Sequence, residues 1–174
     1  MIELQDIFNA HIEDYFEERR ASIIQKKAIT AISSCRTAKL GGHMDTCPNC
    51  GIVSQSYNSC RNRHCPKCQT LSKEKWIDGR KQDLLNVRYF HVVFTVPSEL
   101  NAVIYSNQKE CYNLLFRCVS ETLKELALDK KYLGADIGLT AVLHTWGQNL
   151  SFHPHIHCIV PAGGLNKQGF WVNS

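Results

Sequence analysis

Six of the nine cysteines and two of the eight histidines fall between Cys35 and Cys68, in four pairs: Cys35/His43, Cys47/Cys50, Cys60/His64 and Cys65/Cys68. Two of the pairs are Cys-x-x-Cys turns, Cys47-Pro-Asn-Cys50-Gly51 and Cys65-Pro-Lys-Cys68, separated by 14 residues. A tight bend of this kind aims two thiolates at one point, which is half of the tetrahedral shell of a zinc ion. The spacing is close to the four-cysteine zinc pattern. The competing use of such cysteines, disulfides, belongs to oxidising compartments. The opening stretch Met1-Ile-Glu-Leu-Gln-Asp6 is acidic and lacks the apolar run of a secretory leader, so a cytoplasmic location with reduced thiols is expected.

Sequence order leaves the distribution of the eight ligands open. A crossed arrangement joins Cys47, Cys50, Cys65 and Cys68 around one structural zinc, and Cys35, His43, Cys60 and His64 around a second. The alternative is a single zinc, with Cys35 buried and His43 and His64 on the surface.

A second group with chemical potential is Phe152-His-Pro-His-Ile-His-Cys-Ile-Val160. Side chains alternate along a strand, so His153, His155 and His157 share one face while Ile156, Cys158 and Val160 point the other way, toward a core. A hairpin turning near Asn149-Leu150 sets His144 directly across from His155. Three imidazoles converging on a sheet suit a divalent ion with open positions for substrate. Alone, a His-x-His strand also suits two surface histidines. No Ser-His-Asp arrangement, phosphate-cradling Gly-rich loop or paired-carboxylate site stands out.

The elements that must carry these groups follow from the spacing of apolar residues. Leu4, Ile7, Phe8, Ile12, Tyr15 and Phe16 form one helical stripe and Ile23, Ile24, Ala28 and Ile32 another, predicting two helices between residues 3 and 34. Gly41-Gly42 leads into the knuckles. A charged helix containing Trp76 and Leu84 is predicted over Ser72–Leu85, and a strand over Val87–Val96, stopped by Pro97. Residues 98–127 read as helix, with Leu114, Leu115, Cys118, Leu123 and Leu126 as core contacts and with Cys111 and Cys118 as buried packing. Strands over Ile137–Gly147 and Phe152–Val160 follow; Gly163-Gly164 reads as a turn and Phe170-Trp-Val172 as the start of another strand. The division expected is 1–85, a helical and zinc-binding domain, and 86–174, a second domain of strands and helices.

The formal charge is only +4 over 174 residues, but it is concentrated. Between Cys60 and Tyr89 stand Arg61, Arg63, Lys67, Lys73, Lys75, Arg80, Lys81 and Arg88 against three acids, Glu74, Asp78 and Asp83. Basic charge on and just after a zinc module is the electrostatic footprint of a nucleic-acid partner, and the first seven of these are the expected DNA contacts. No apolar run approaches the ~20 residues needed to cross a bilayer, so no membrane partner is expected.

The run Ser59-Cys-Arg-Asn-Arg-His-Cys-Pro-Lys-Cys-Gln69 after Gly41-Gly-His43 resembles the N-terminal zinc-binding domain of rolling-circle insertion-sequence transposases. Tyr89-Phe-His-Val-Val-Phe-Thr-Val-Pro97, His144-Thr-Trp-Gly147 and His153-Pro-His-Ile-His157 resemble the catalytic domain that follows it. Together these segments span residues 35 to 164. The family belongs to the HUH endonucleases, and His155-Ile156-His157 would be that motif, which makes 1–85 the expected DNA-binding domain and 86–174 a partial HUH nuclease-like domain. The resemblance implies an α+β fold in which a helical N-terminus and zinc module precede a central antiparallel sheet flanked by helices. It implies a Mg²⁺ or Mn²⁺ site at His155 and His157 with a third ligand, here His144, and with His153 and Gln148 as alternatives. It also implies single-stranded element ends as substrate and a tyrosine that attacks the scissile phosphate. Such tyrosines follow the histidine motif, whereas the six tyrosines here (Tyr15, Tyr57, Tyr89, Tyr105, Tyr112 and Tyr132) all precede it, so none is assigned as nucleophile. The expectation is therefore a truncated transposase, or the N-terminal part of a longer one, that binds zinc and DNA without completing strand transfer. The alternatives are a non-catalytic DNA-binding module derived from a transposase and a zinc module for protein–protein contact; the basic run and the histidine strand count against the latter.

Overall fold

The computed structural model describes residues 2–174 and divides the α+β chain into two compact units, Met1–Leu84 and Leu85–Ser174. In the first unit, helices α1 (Leu4–Glu18) and α2 (Ile23–Ser33) form along the two apolar stripes. Each starts with a capping box that satisfies otherwise orphaned N–H groups. At α1 the Glu3 amide donates to Asp6 Oδ2 at 2.8 Å, and at α2 the Ser22 amide donates to Gln25 Oε1 at 2.8 Å while Ser22 Oγ accepts from the Gln25 amide at 3.2 Å.

A short antiparallel hairpin follows, β1 (Gly42–Thr46) with β2 (Val53–Tyr57), and the Cys47–Cys50 knuckle is its tip. The apolar pattern gives no sign of these strands because every residue in both is exposed, so no face alternates. Helix α3 (Pro66–Gln82) starts six residues before the predicted Ser72. Cys65 is its N-cap and Pro66 its first residue, where a missing N–H costs nothing and the fixed φ suits a helix. The small core of this unit joins Ile32, Cys35 and Cys65, with Phe8, Cys60 and Cys68 packed against them.

The second unit is built on a three-stranded antiparallel sheet in the order β3 (Tyr89–Thr95), β5 (Phe152–Pro161), β4 (Thr140–Trp146). β5 is central and hydrogen-bonded on both sides. Between β3 and β4 the chain forms α4 (Asn101–Ser106) and α5 (Gln108–Leu128), separated at Asn107 rather than continuous as predicted. One face of the sheet is the core: Ile156, Cys158 and Val160 of β5 meet Val119 and Ala127 of α5, with Leu115, Phe116 and Leu123 alongside. The buried side of α5 thus differs in part from the prediction. Leu114, Cys118 and Leu126 are exposed and Cys111 is half-buried, because Val119 and Ala127 set the inward stripe.

Gly163-Gly164 belongs to strand β6 (Gly163–Leu165), paired with β7 (Trp171–Asn173), and is not a turn. A Cβ at Gly164 would lie 2.3 Å from the Asp136 carbonyl oxygen, so glycine serves the close approach of two backbones. Among the described residues, no helix is long and apolar enough to cross a membrane.

Candidate metal centres

The sequence-predicted cysteines regroup in the structure. Cys35, Cys60, Cys65 and Cys68 bring their sulfurs within 4.8 Å of one another. The contacts are 3.5 Å for Cys35–Cys68, 3.6 Å for Cys60–Cys68 and 3.7 Å for Cys35–Cys65. Four sulfurs at about 2.3 Å from a central zinc form a tetrahedron with edges of about 3.8 Å, so the donor set fits that ion. Position follows from the elements: Cys35 lies just beyond α2, while Cys65 and Cys68 form the first turn of α3. Cys60 donates its amide to Cys35 Sγ at 3.5 Å. Cys35 and Cys60 are each followed by an arginine with positive φ, Arg36 at 58° and Arg61 at 53°. Backbone held in that region by a non-glycine residue is strained, and the turns around the sulfurs hold it there.

Neither foursome of the crossed arrangement converges. Cys47 and Cys50 face each other at the hairpin tip, where hydrogen bonds from the Asn49 and Cys50 amides, and then from the Cys50 side chain, lower the Cys47 thiol. His43 lies four residues up β1, about 13 Å along an extended strand, and contacts Asp45 at 3.5 Å. His64 is exposed and accepts a hydrogen bond from Arg63 Nε at 3.2 Å. The pairs adjacent in sequence are thus separated because β1 is extended, while the end of α2 packs against the start of α3.

The second centre is on the open face of the three-stranded sheet. The register sets His144 opposite His155, as the hairpin reading requires. The ring nitrogens of His144, His155 and His157 lie within 4.8 Å of one another. His155 Nδ1 contacts the His153 carbonyl oxygen at 2.7 Å, so that nitrogen carries the proton and Nε2 keeps its lone pair. His157 Nε2 is buried with no hydrogen-bond partner. Burial, then the neighbouring His144, His155 and His91, lower the His157 pKa and favour the neutral imidazole that a metal ligand must be. His153 and Gln148 are outside the cluster. Pro154, which has no N–H for the ladder, sits where the β4–β5 register shifts between His144 and Trp146.

Sequence reading missed one histidine of this face. His91 of β3 contacts His157 Nδ1 through its Nε2 at 2.7 Å. Its position depends on the β3–β5 register, which pairs Val93 with His157 and puts His91 on the diagonal.

The expected DNA contacts are all on or just before α3. Arg61, Arg63, Lys73, Lys75, Arg80 and Lys81 are exposed. Lys67 is half-buried and ion-paired with Glu3, Arg80 pairs with Asp83 at 2.8 Å and Lys81 with Asp78 at 3.3 Å. Among the described residues, Arg61, Arg63, Lys73 and Lys75 make no ion pair, and of these Arg63 is hydrogen-bonded to His64.

A family model described as a transposase zinc-binding domain matches residues 7–96, just over half of the chain, and a second transposase model matches residues 138–174. The chain belongs to the rolling-circle insertion-sequence transposases. The transposase-like y4qJ protein of Sinorhizobium fredii is 49% identical over 172 residues, covering 98% of this chain and 43% of that protein. The transposase for insertion sequence element IS801 of Pseudomonas savastanoi pv. phaseolicola is 35% identical over 159 residues, covering 90% of this chain and 38% of its own length. This transposase chain therefore spans less than half the length of the curated relatives it matches. No solved structure matches it.

Proposed function

We propose that this chain provides the DNA-gripping and metal-holding parts of a transposase that nicks and rejoins single-stranded DNA. Cys35, Cys60, Cys65 and Cys68 hold one structural zinc, which ties the end of α2 to the start of α3 and presents the basic side chains of α3 to phosphates. Arg61, Lys73 and Lys75, uncommitted to ion pairs, are the leading phosphate contacts. His144, His155 and His157 hold a divalent ion. Its chemistry when bound is to neutralise charge developing on the scissile phosphate. Three imidazoles favour Mn²⁺ over Mg²⁺, which prefers oxygen donors.

The observation that carries this reading is the convergence of three histidines around a buried His157 Nε2 that has no partner. The chain's own tyrosines do not supply a nucleophile in this reading. Tyr89 accepts the Leu85 amide through its hydroxyl at 2.8 Å, and burial followed by Cys111 and Tyr105 raises the Tyr112 pKa, disfavouring phenolate. A tyrosine elsewhere in the full-length transposase completes the reaction.

The test is Mn²⁺-dependent nicking of a single-stranded oligonucleotide bearing an element end, by a full-length relative with the equivalent histidines. Ala at the positions of His155 and His157 should reduce nicking by at least about 100-fold, of the order seen when a catalytic metal or electrostatic group is removed. Unchanged nicking would refute the site, and a covalent phosphotyrosine adduct on the 174-residue chain would refute the absence of a nucleophile.

A further inference from the structure

The metal reading uses three histidines of the sheet, and a fourth is tied to one of them. His91 Nε2 lies 2.7 Å from His157 Nδ1, the ring planes differ by 7° and the centroids are 5.0 Å apart. That centroid separation is what two imidazoles give when placed end to end along such an N···N line, so the rings are joined edge to edge in one plane. A shared proton on this line has two possible owners, and they have opposite consequences for the site.

If His91 donates, His157 accepts at Nδ1 and carries its own proton on Nε2. That atom is buried and without an acceptor, and it would aim an N–H at the cluster formed with His144 and His155. A buried donor with no partner is the costly arrangement. If His157 donates from Nδ1, its Nε2 is a lone pair facing the two other imidazoles. The second arrangement also repeats what holds His155, whose Nδ1 is satisfied by the His153 carbonyl. Metal-binding histidines in general have their outer nitrogen fixed by such a partner.

We infer that His91 is a positioning residue: it accepts the His157 Nδ1–H, fixes the tautomer that presents Nε2 to the ion, and holds the ring in plane. This rests on the metal site proposed above, and its experiments separate the two. The first uses nitrogen-resolved NMR on the chain carrying one equivalent of zinc, with the histidine site free of metal, at a pH where the imidazoles are neutral. His157 should be the Nδ1–H tautomer; an Nε2–H tautomer would overturn the inference without a variant being made.

The second measures Mn²⁺ affinity of the same chain by electron paramagnetic resonance. His91→Phe should weaken binding by about 10–100-fold, as loss of an outer partner does at other metal sites. His91→Gln, whose amide oxygen can accept the same hydrogen bond, should bind within a few-fold of the parent. Equal affinity in His91→Phe and parent overturns the inference, as does a Gln variant as weak as the Phe variant. A parent chain that takes up no Mn²⁺ overturns the metal site itself, and the tautomer measurement still decides what His91 does to His157.

Discussion

The clustered thiols do not share their protons evenly. Burial pushes Cys60 up to about 12, a rise that hydrogen bonds with its neighbours sustain. Burial also acts to raise Cys68, but hydrogen bonds from Cys35 and Cys60 outweigh it and bring that thiol down to about 7. Before the module unfolds, a cluster that has lost its metal would hold its negative charge on Cys68. In the first moments after zinc is withdrawn, before the module opens, iodoacetamide at a pH just above the Cys68 value should label Cys68 well before Cys60, and bound zinc should protect both. Lowering the pH through about 7 should slow labelling at Cys68, because the thiolate is the reactive form. Zinc content separates the two ligand divisions. Cys35→Ser should leave no zinc at the cluster, whereas Cys50→Ser should keep the parent's one zinc per chain by mass spectrometry; the crossed arrangement predicts two zincs in the parent and one in either variant. That this stretch brings cysteines together was legible in the sequence, since few other uses account for paired Cys-x-x-Cys turns. Their division was not, because it depends on which helix ends pack together.

Elements were legible where burial is one-sided. The period-two alternation of β5 placed Ile156, Cys158 and Val160 in the core and the histidines opposite, as found. β1 and β2 left no such trace because both their faces are exposed, and His91 could not be placed without the register of a strand 66 residues away. Glycines were ambiguous for another reason: a turn and a close backbone approach call for the same residue. Gly164 separates the cases. Gly164→Ala would force a Cβ against the Asp136 carbonyl, a backbone atom that cannot rotate away. The expected cost is about 1–3 kcal/mol in thermal or denaturant unfolding of the second unit; a neutral substitution would show that β6 is free to shift.

At the scale of the whole chain, the two units differ in what holds them together. The second has an apolar core of its own between α5 and the sheet, whereas the first buries Ile32, Cys35 and Cys65 around the sulfur cluster. A module with so small a core depends on its metal for folding. Removing zinc with a strong chelator should therefore unfold residues within 2–84 and leave the second unit's sheet intact. Limited proteolysis followed by mass spectrometry should then recover fragments beginning near Leu85. Loss of both units at the same chelator concentration would contradict this. The family was legible from the motifs because the zinc string and the histidine strand occur together.

The central position of β5 also has a bearing on how this sequence tolerates change. The strand carries histidines on one side and core on the other, and both edges are locked by hydrogen bonds. A deletion of one residue between His153 and Val160 exchanges the two sides, so that imidazoles enter the core and Ile156 leaves it. Metal competence and folding then fail together. Point substitutions on the histidine face should leave the chain folded, but small deletions in β5 should yield no soluble form at all, and a library of both kinds of change would sort them cleanly by abundance.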